Sequence, residues 1–196
     1  MTVPQLVIFD CDGVLVDSER LAVRVDQQVL AAMGWELTIA EVIDRFVGRN
    51  HAHMTAELSR HLGRQLNGDW DAPYAHLYQA TFEAELLPVE GVIDMLDRLQ
   101  LPVCVASNGS HARMRSALSL TGLLHRFEDR LFSGDDVPHP KPAPDLFLHA
   151  AAHFGAATSR CVVVEDSPTG IAAGAAAGMR VIAYSGGRMH PANALT

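Results

Sequence analysis

The stretch Asp10-Cys11-Asp12-Gly13 places two carboxylates two residues apart at the end of a short apolar run. If the extended geometry of that run persists, both side chains project to the same side and can share one task. Mg²⁺ is usually held by one or two carboxylates, with substrate phosphate and water filling its other positions. Glu165 and Asp166 close another apolar run and can supply the remaining oxygens. Ser107 and Asn108 offer a hydroxyl and backbone donors for phosphate oxygens, and Lys141 offers a fixed positive charge in the proline-stiffened loop from His139 to Pro144. Together these residues can form an anion site beside a metal.

A carboxylate in such a site can attack phosphorus and form an acyl phosphate, dividing one difficult displacement into two easier ones. Asp10 must be ionised for that task. Asp12 is then expected to protonate the leaving alcohol and later to activate water. Mg²⁺ and Lys141 would offset the negative charge that repels the nucleophile. Gly13 leaves the backbone free for a sharp turn. Each residue also has a structural reading. Asp pairs are common in turns, Ser107-Asn108-Gly109 is a natural turn before a helix, and Glu165 or Asp166 can cap a helix that starts near Thr169.

These residues need a scaffold. The apolar run Gln5–Phe9 reads as a strand, as do 102–106, 161–164 and 181–184, with 130–132 a weaker candidate. Helical patterns lie between them over 90–99, 110–120, 145–154 and 169–177. Apolar strands alternating with helices predict a doubly wound α/β fold, a Rossmann-like parallel sheet covered on both faces, in which ligands bind beyond the carboxyl ends of the strands. Residues 17–87 break the rhythm. They hold a capping box at Thr38–Glu41 and helical patterns over 51–61 and 73–86, and they read as a small helical cap inserted into a core formed by 1–16 and 88–196.

Composition narrows the partners. The 196 residues carry a formal charge of -8, which disfavours nucleic acid and anionic membranes. No apolar stretch reaches the roughly 18 residues of a membrane span, and the first ten residues lack the layout of a secretory signal, so a cytoplasmic location is expected. Cys11, Cys104 and Cys161 lie in or just after strand-like runs and read as small buried hydrophobes. His51 and His53 diverge on a helix, which disfavours a zinc site. Gly170, Gly174 and Gly178 recur every four residues and suggest close packing of a helix on the sheet.

The segment from Asp10 to Ser18 resembles the first signature of the haloacid-dehalogenase-like superfamily. Val105–Gly109 resembles the second, Lys141–Pro144 the third and Val164–Gly170 the fourth, in the same order. The resemblance covers nearly the whole chain. It implies a phosphatase with Asp10 as nucleophile, and Mg²⁺ held by Asp10, the main-chain carbonyl of Asp12 and Asp166, with Glu165 assisting. It also implies a helical cap that closes over a small phosphorylated metabolite. Arg49 and His51, read from their place in the cap, are candidate substrate contacts. Members of the superfamily commonly continue past the run at Val181 with a further strand and helix, whereas this sequence ends at Leu195-Thr196. Within the superfamily the chain is similar to the branch that includes β-phosphoglucomutase, phosphoglycolate phosphatase and the 6-phosphogluconate phosphatases. Ala22 stands where the mutase pattern has a histidine, which favours water as acceptor. Dehalogenation would need neither Asp12 nor a metal, and a non-catalytic metabolite-binding protein would be expected to lose part of the constellation.

Overall fold

The computed structural model describes residues 3–47, 49 and 51–185. These form two compact units. One runs up to Asp17 and resumes at Leu87, and the other is Ser18–Leu86.

In the first unit, strand β1 (Leu6–Phe9) leads to the crossing point into the second. The outgoing and returning segments run side by side: Asp17 N–H donates to Leu87 O at 2.9 Å, and Val89 N–H donates to Leu15 O at 2.9 Å.

The second unit is helical. It contains α1 (Glu19–Ala32), α2 (Ile39–Phe46), α3 (His51–Leu62) and, after a short 3₁₀ turn at Ala72–Tyr74, α4 (Ala75–Glu85). The capping box at Thr38 forms: its hydroxyl accepts from Glu41 N–H, and the Glu41 carboxylate accepts from Thr38 N–H at 2.8 Å. Val25, Val29, Leu30, Val42, Leu58 and Trp70 close its core. Helices α1 and α4 are also joined by polar contacts. Arg24 donates twice to Glu85 at 2.8 and 2.6 Å, and the Tyr78 hydroxyl donates to Asp26 Oδ1 at 2.5 Å.

The first unit then continues through α5 (Val92–Arg98), β2 (Val103–Ser107), α6 (His111–Leu120), β3 (Leu131–Ser133), α7 (Asp145–His153), β4 (Cys161–Glu165), α8 (Pro168–Ala176) and β5 (Arg180–Ala183). The sheet is wholly parallel in the order β3-β2-β1-β4-β5. The chain moves outward from β1 to β3 and then places β4 on the other side of β1. The β1/β4 boundary is therefore the topological switch point, where the strand ends open a crevice.

One sheet face is fully covered. Leu6, Ile8, Cys104, Ala106 and Val163 pack against Leu146, Phe147 and Ala150 of α7 and Ala173 of α8. On the other face Val7, Phe9 and Val162 are buried as well. Among the described residues, Val7, Phe9, Val162, Val164 and Ile182 border a cavity of about 520 Å³ beside α5, and Ile182 is half exposed. The further strand and helix implied past Val181 would lie outside the described residues. All three cysteines are buried, and burial pushes each thiol above its ordinary pKa. No helix among the described residues is long and apolar enough to cross a membrane.

The glycine series does three different jobs. A Cβ on Gly174 would meet Val181 Cγ2 at 2.7 Å, so here the helix does lie close on the sheet. Gly170 faces the Glu165 carboxylate instead, and Gly178 adopts φ +70 where α8 has ended.

Burial raises the Asp26 carboxyl, and the Tyr78 hydroxyl counters that shift by donating to it. Removing the hydroxyl strands a half-buried carboxylate. Tyr78→Phe is expected to cost about 1–2 kcal/mol, read as a lower urea midpoint at unchanged slope; an unmoved midpoint would show that the bond contributes nothing.

Candidate active site

Four loops at the carboxyl ends of β1, β2, β3 and β4 assemble the site. Asp10 directly follows β1, and its N–H donates to Val164 O at 3.0 Å, joining the first loop to β4. The chain then bends, with the Cys11 carbonyl accepting from Leu15 N–H at 2.9 Å and Val16 N–H at 3.1 Å. The extended geometry expected through Asp12 therefore gives way to a bend after Asp10, and the two acids have different cationic partners. The Asp10 carboxylate meets Lys141, whereas Asp12 Oδ2 lies 3.5 Å from an Arg113 guanidinium nitrogen.

Lys141 is the centre of the arrangement. Its buried ammonium donates to Asp10 Oδ1 at 2.6 Å and to Glu165 Oε1 at 2.7 Å, and it lies 4.9 Å from the Phe147 ring centroid. Its main chain is fixed as well. Asn108 Oδ1 accepts from Lys141 N–H at 2.9 Å, and Asn108 Nδ2 donates to Lys141 O at 3.0 Å. The Asn108 side chain is thus a brace for the lysine loop, so any phosphate contact it makes falls to its backbone.

Ser107, the last residue of β2, is buried, and its hydroxyl accepts from Gly109 N–H at 3.1 Å. That turn is held from β3 by Ser133, which is fully buried and donates from Oγ to Gly109 O at 2.8 Å. Sequence reasoning missed Ser133. Its signal was a serine closing a weak strand immediately before Gly134-Asp135-Asp136, where it also caps a short 3₁₀ turn.

Glu165 uses both oxygens: Oε1 on Lys141, and Oε2 on Ser167, whose N–H and Oγ donate at 2.8 and 2.9 Å. The residue that caps α8 is Ser167, accepting from Gly170 N–H at 3.0 Å, rather than Glu165 or Asp166. Two glycines make room for this crowding. A Cβ on Gly13, which has φ +76, would collide with Asp166 Oδ2, and one on Gly170 would collide with the Glu165 carboxylate.

One oxygen each from Asp10, Glu165 and Asp166 lies within 4.8 Å of the others. An all-carboxylate donor set suits a hard divalent cation. Three carboxylates against one ammonium also leave a net negative charge that such an ion matches. Burial, reinforced by Glu165 and Asp166, pushes the Asp10 carboxyl up to about 8 against the opposing pull of Lys141. Burial works against the Lys141 charge too, but Asp10 and Glu165 more than offset it and hold the ammonium above its ordinary pKa. The group therefore fits a divalent cation, whose charge would favour an ionised Asp10. Both oxygens of Glu165 are hydrogen-bonded, and Asp10 Oδ1 is held by Lys141. The Asp12 carboxylate stands outside this cluster.

Arg49 and His51 belong to the helical unit. Arg49 is exposed. The His51 ring stacks on Trp70 with centroids 5.8 Å apart, and its Nε2 lies 3.2 Å from Asp71 Oδ2.

A parallel sheet with these acids at its switch point and a buried lysine between them is the arrangement of a hydrolase that handles phosphate. The chain matches the haloacid dehalogenase-like hydrolase family over residues 4–178 and belongs to it. It is an enzyme of the phosphatase type. Phosphatases of this family use a divalent metal. The chain is 35% identical over 184 residues to the 6-phosphogluconate phosphatase of Escherichia coli (strain K12), covering 92% of this chain and 82% of that protein. Among solved structures, it is similar to a conserved haloacid dehalogenase-like protein of unknown function from Agrobacterium tumefaciens strain C58, with a TM-score of 0.86 and 37% identity over 95% of this chain and 85% of that one. It is also similar to a hydrolase of the same family from Deinococcus radiodurans R1 with bound phosphate and sodium, with a TM-score of 0.78 and 32% identity over 91% and 79% of the two chains.

The raised Asp10 pKa has a consequence for stability without metal. Between pH of about 4 and about 8, the folded chain keeps a proton on Asp10 that the unfolded chain has released, so unfolding free energy falls as pH rises through that window. In chelator, the native protein is expected to lose more stability between pH 5 and pH 8 than Asp10→Asn, which lacks this proton. Mg²⁺ should remove most of the difference, with its largest gain at the alkaline end. Equal pH slopes for the two proteins in chelator would contradict this.

Proposed function

We propose that the protein is a Mg²⁺-dependent phosphatase that hydrolyses a small phosphate monoester, a sugar or sugar-acid phosphate, through an aspartyl-phosphate on Asp10. The observation that carries this reading is the buried Lys141 ammonium, 2.6 Å from Asp10 and 2.7 Å from Glu165 at the β1/β4 crevice.

In this reading Asp10 attacks phosphorus. Lys141 offsets the charge that gathers on the phosphoryl oxygens, and the Ser107 hydroxyl donates to one of them. Asp12 gives a proton to the departing alcohol, then takes one from the water that opens the acyl phosphate. Asp10, Asp166 and the main-chain carbonyl of Asp12 would hold Mg²⁺, supported by Glu165. When bound, that ion supplies positive charge to the nucleophile and the phosphoryl oxygens. Asn108 and Ser133 keep the lysine loop and the Ser107 turn in place. Arg49 and His51 are proposed as substrate contacts of the helical unit, with Arg49 favoured because the His51 ring is engaged by Trp70 and Asp71.

The substrate class is supported by the likeness to the Escherichia coli 6-phosphogluconate phosphatase and by the phosphate bound in the Deinococcus structure. Hydrolysis rather than return transfer is supported by Ala22, where a mutase of this kind is expected to carry a histidine.

Phosphate release from a panel of sugar, sugar-acid and glycolate phosphates tests the reading, run with Mg²⁺ and with chelator. Turnover should require Mg²⁺, and Asp10→Asn should lower kcat by about 10³-fold or more, as loss of a nucleophile does. Interconversion of sugar-phosphate isomers without phosphate release would replace this reading with a mutase, and no reaction at all would remove it.

A further inference from the structure

Arg113 has a place that stability does not explain. It is the third residue of α6, which starts from Ser110: the Ser110 hydroxyl accepts from Arg113 N–H at 3.3 Å. A cation in a first helical turn is opposed by the helix dipole. Its partner returns little. The Arg113 side chain is 58% exposed and Asp12 30% exposed, and a solvent-exposed ion pair adds little to stability. At 3.5 Å the contact is also longer than the roughly 2.7–2.9 Å of a charge-assisted hydrogen bond.

The side chain is nonetheless aimed. A Cβ placed on Gly109 would lie 3.6 Å from Arg113 Cδ and 3.5 Å from Ser107 Oγ, so the arginine stem runs over the turn that carries Ser107. The Gly109 carbonyl is held by the Ser133 hydroxyl, which keeps that turn in place. The guanidinium arrives beside Asp12 and not beside Asp10. In an in-line displacement from Asp10, the leaving alcohol departs on the side of the group that protonates it, and that group is Asp12. Ordinary hydrogen-bond lengths then put the guanidinium roughly 4–8 Å from the leaving oxygen. A guanidinium fork matches a carboxylate in bidentate geometry.

We infer that Arg113 is a specificity-determining residue that binds a carboxylate on the leaving group, a few bonds from the ester oxygen, so that short phosphorylated hydroxy acids are preferred over neutral phosphate esters. This rests on the phosphatase reading and on the role given there to Asp12.

Matched esters test it. 3-Phosphoglycerate and glycerol 3-phosphate differ by a carboxylate against a hydroxymethyl group, and p-nitrophenyl phosphate reports general phosphatase activity. With Mg²⁺, the native protein is expected to favour 3-phosphoglycerate in kcat/KM by about 10-fold or more, the discrimination that a charged hydrogen-bonded group can supply. Arg113→Met should bring that ratio toward one, chiefly by raising KM for 3-phosphoglycerate, and Arg113→Lys should keep part of it. A ratio unchanged in Arg113→Met, with kcat lowered equally on both esters, would overturn the inference and make Arg113 a positioning residue for Asp12. Native turnover of p-nitrophenyl phosphate without a preference for the acid would also overturn it while leaving the phosphatase reading intact. If none of the three esters is hydrolysed while the sugar and sugar-acid panel is, the inference fails and the phosphatase reading stands; if that panel is inert too, both fail.

Discussion

A buried ammonium between two buried carboxylates is the constraint around which this site is organised. Moving any one of these charges out of water is costly, and removing a single partner from a buried pair typically costs about 3–5 kcal/mol. Lys141 therefore cannot be displaced without leaving Asp10 and Glu165 uncompensated. Much of the surrounding polar structure keeps it there. Asn108 holds both its main-chain N–H and its carbonyl, the Phe147 ring packs against its charge, and Ser167 occupies the second oxygen of Glu165 so that the first stays on the lysine. The same geometry leaves the cluster short of positive charge, because Asp166 joins the two carboxylates already paired with Lys141. A site balanced in this way is completed by a cation and by a substrate whose oxygens share the field.

The sheet makes this crowding possible. Parallel strands direct their carboxyl ends to one edge, and the order β3-β2-β1-β4-β5 puts β1 between the strands that bring Ser107 and Glu165. Residues far apart in sequence meet there because backbone pairing sets their level. Phe9 pairs with Val105 and Val164, so Asp10, Ser107 and Glu165 emerge within about one residue of each other along the strand axis. The β1 to β4 bond from Asp10 N–H to Val164 O continues that ladder into the site itself.

Much of this was legible in the sequence because the signals were local. Strand runs, the Thr38 capping box, the Ser110 cap and the glycine after α3 are short-range patterns, and each produced the expected element within a residue or two. Residues brought together by pairing across the sheet were less legible. Ser133 looks like a turn residue until β3 is set beside β2, when its hydroxyl reaches the Gly109 carbonyl. Asn108 was read for its backbone donors alone, since nothing in a sequence shows that its side-chain amide will meet the backbone of Lys141. Helix α1 announced itself weakly for a different reason: Ser18 makes no side-chain cap bond, so no sequence pattern marks where that helix starts. The run at β5 gave the strand, but an apolar run cannot say what covers it, and among the described residues Ile182 is half exposed.

Gly13 and Gly170 show how a missing side chain can define a site. Each lies against a carboxylate, Gly13 against Asp166 and Gly170 against Glu165, where a Cβ would overlap the acid. At Gly13 the positive φ alone disfavours other residues, and the close approach adds a second restriction. At Gly170 the backbone is helical and would accept alanine with a gain in helix propensity, so the restriction comes from Glu165 alone. Local preference and site geometry conflict there, and the glycine shows that geometry prevails. The helix gives up propensity so that Glu165 can lie over its first turn, keep one oxygen on Ser167 and offer the other to Lys141.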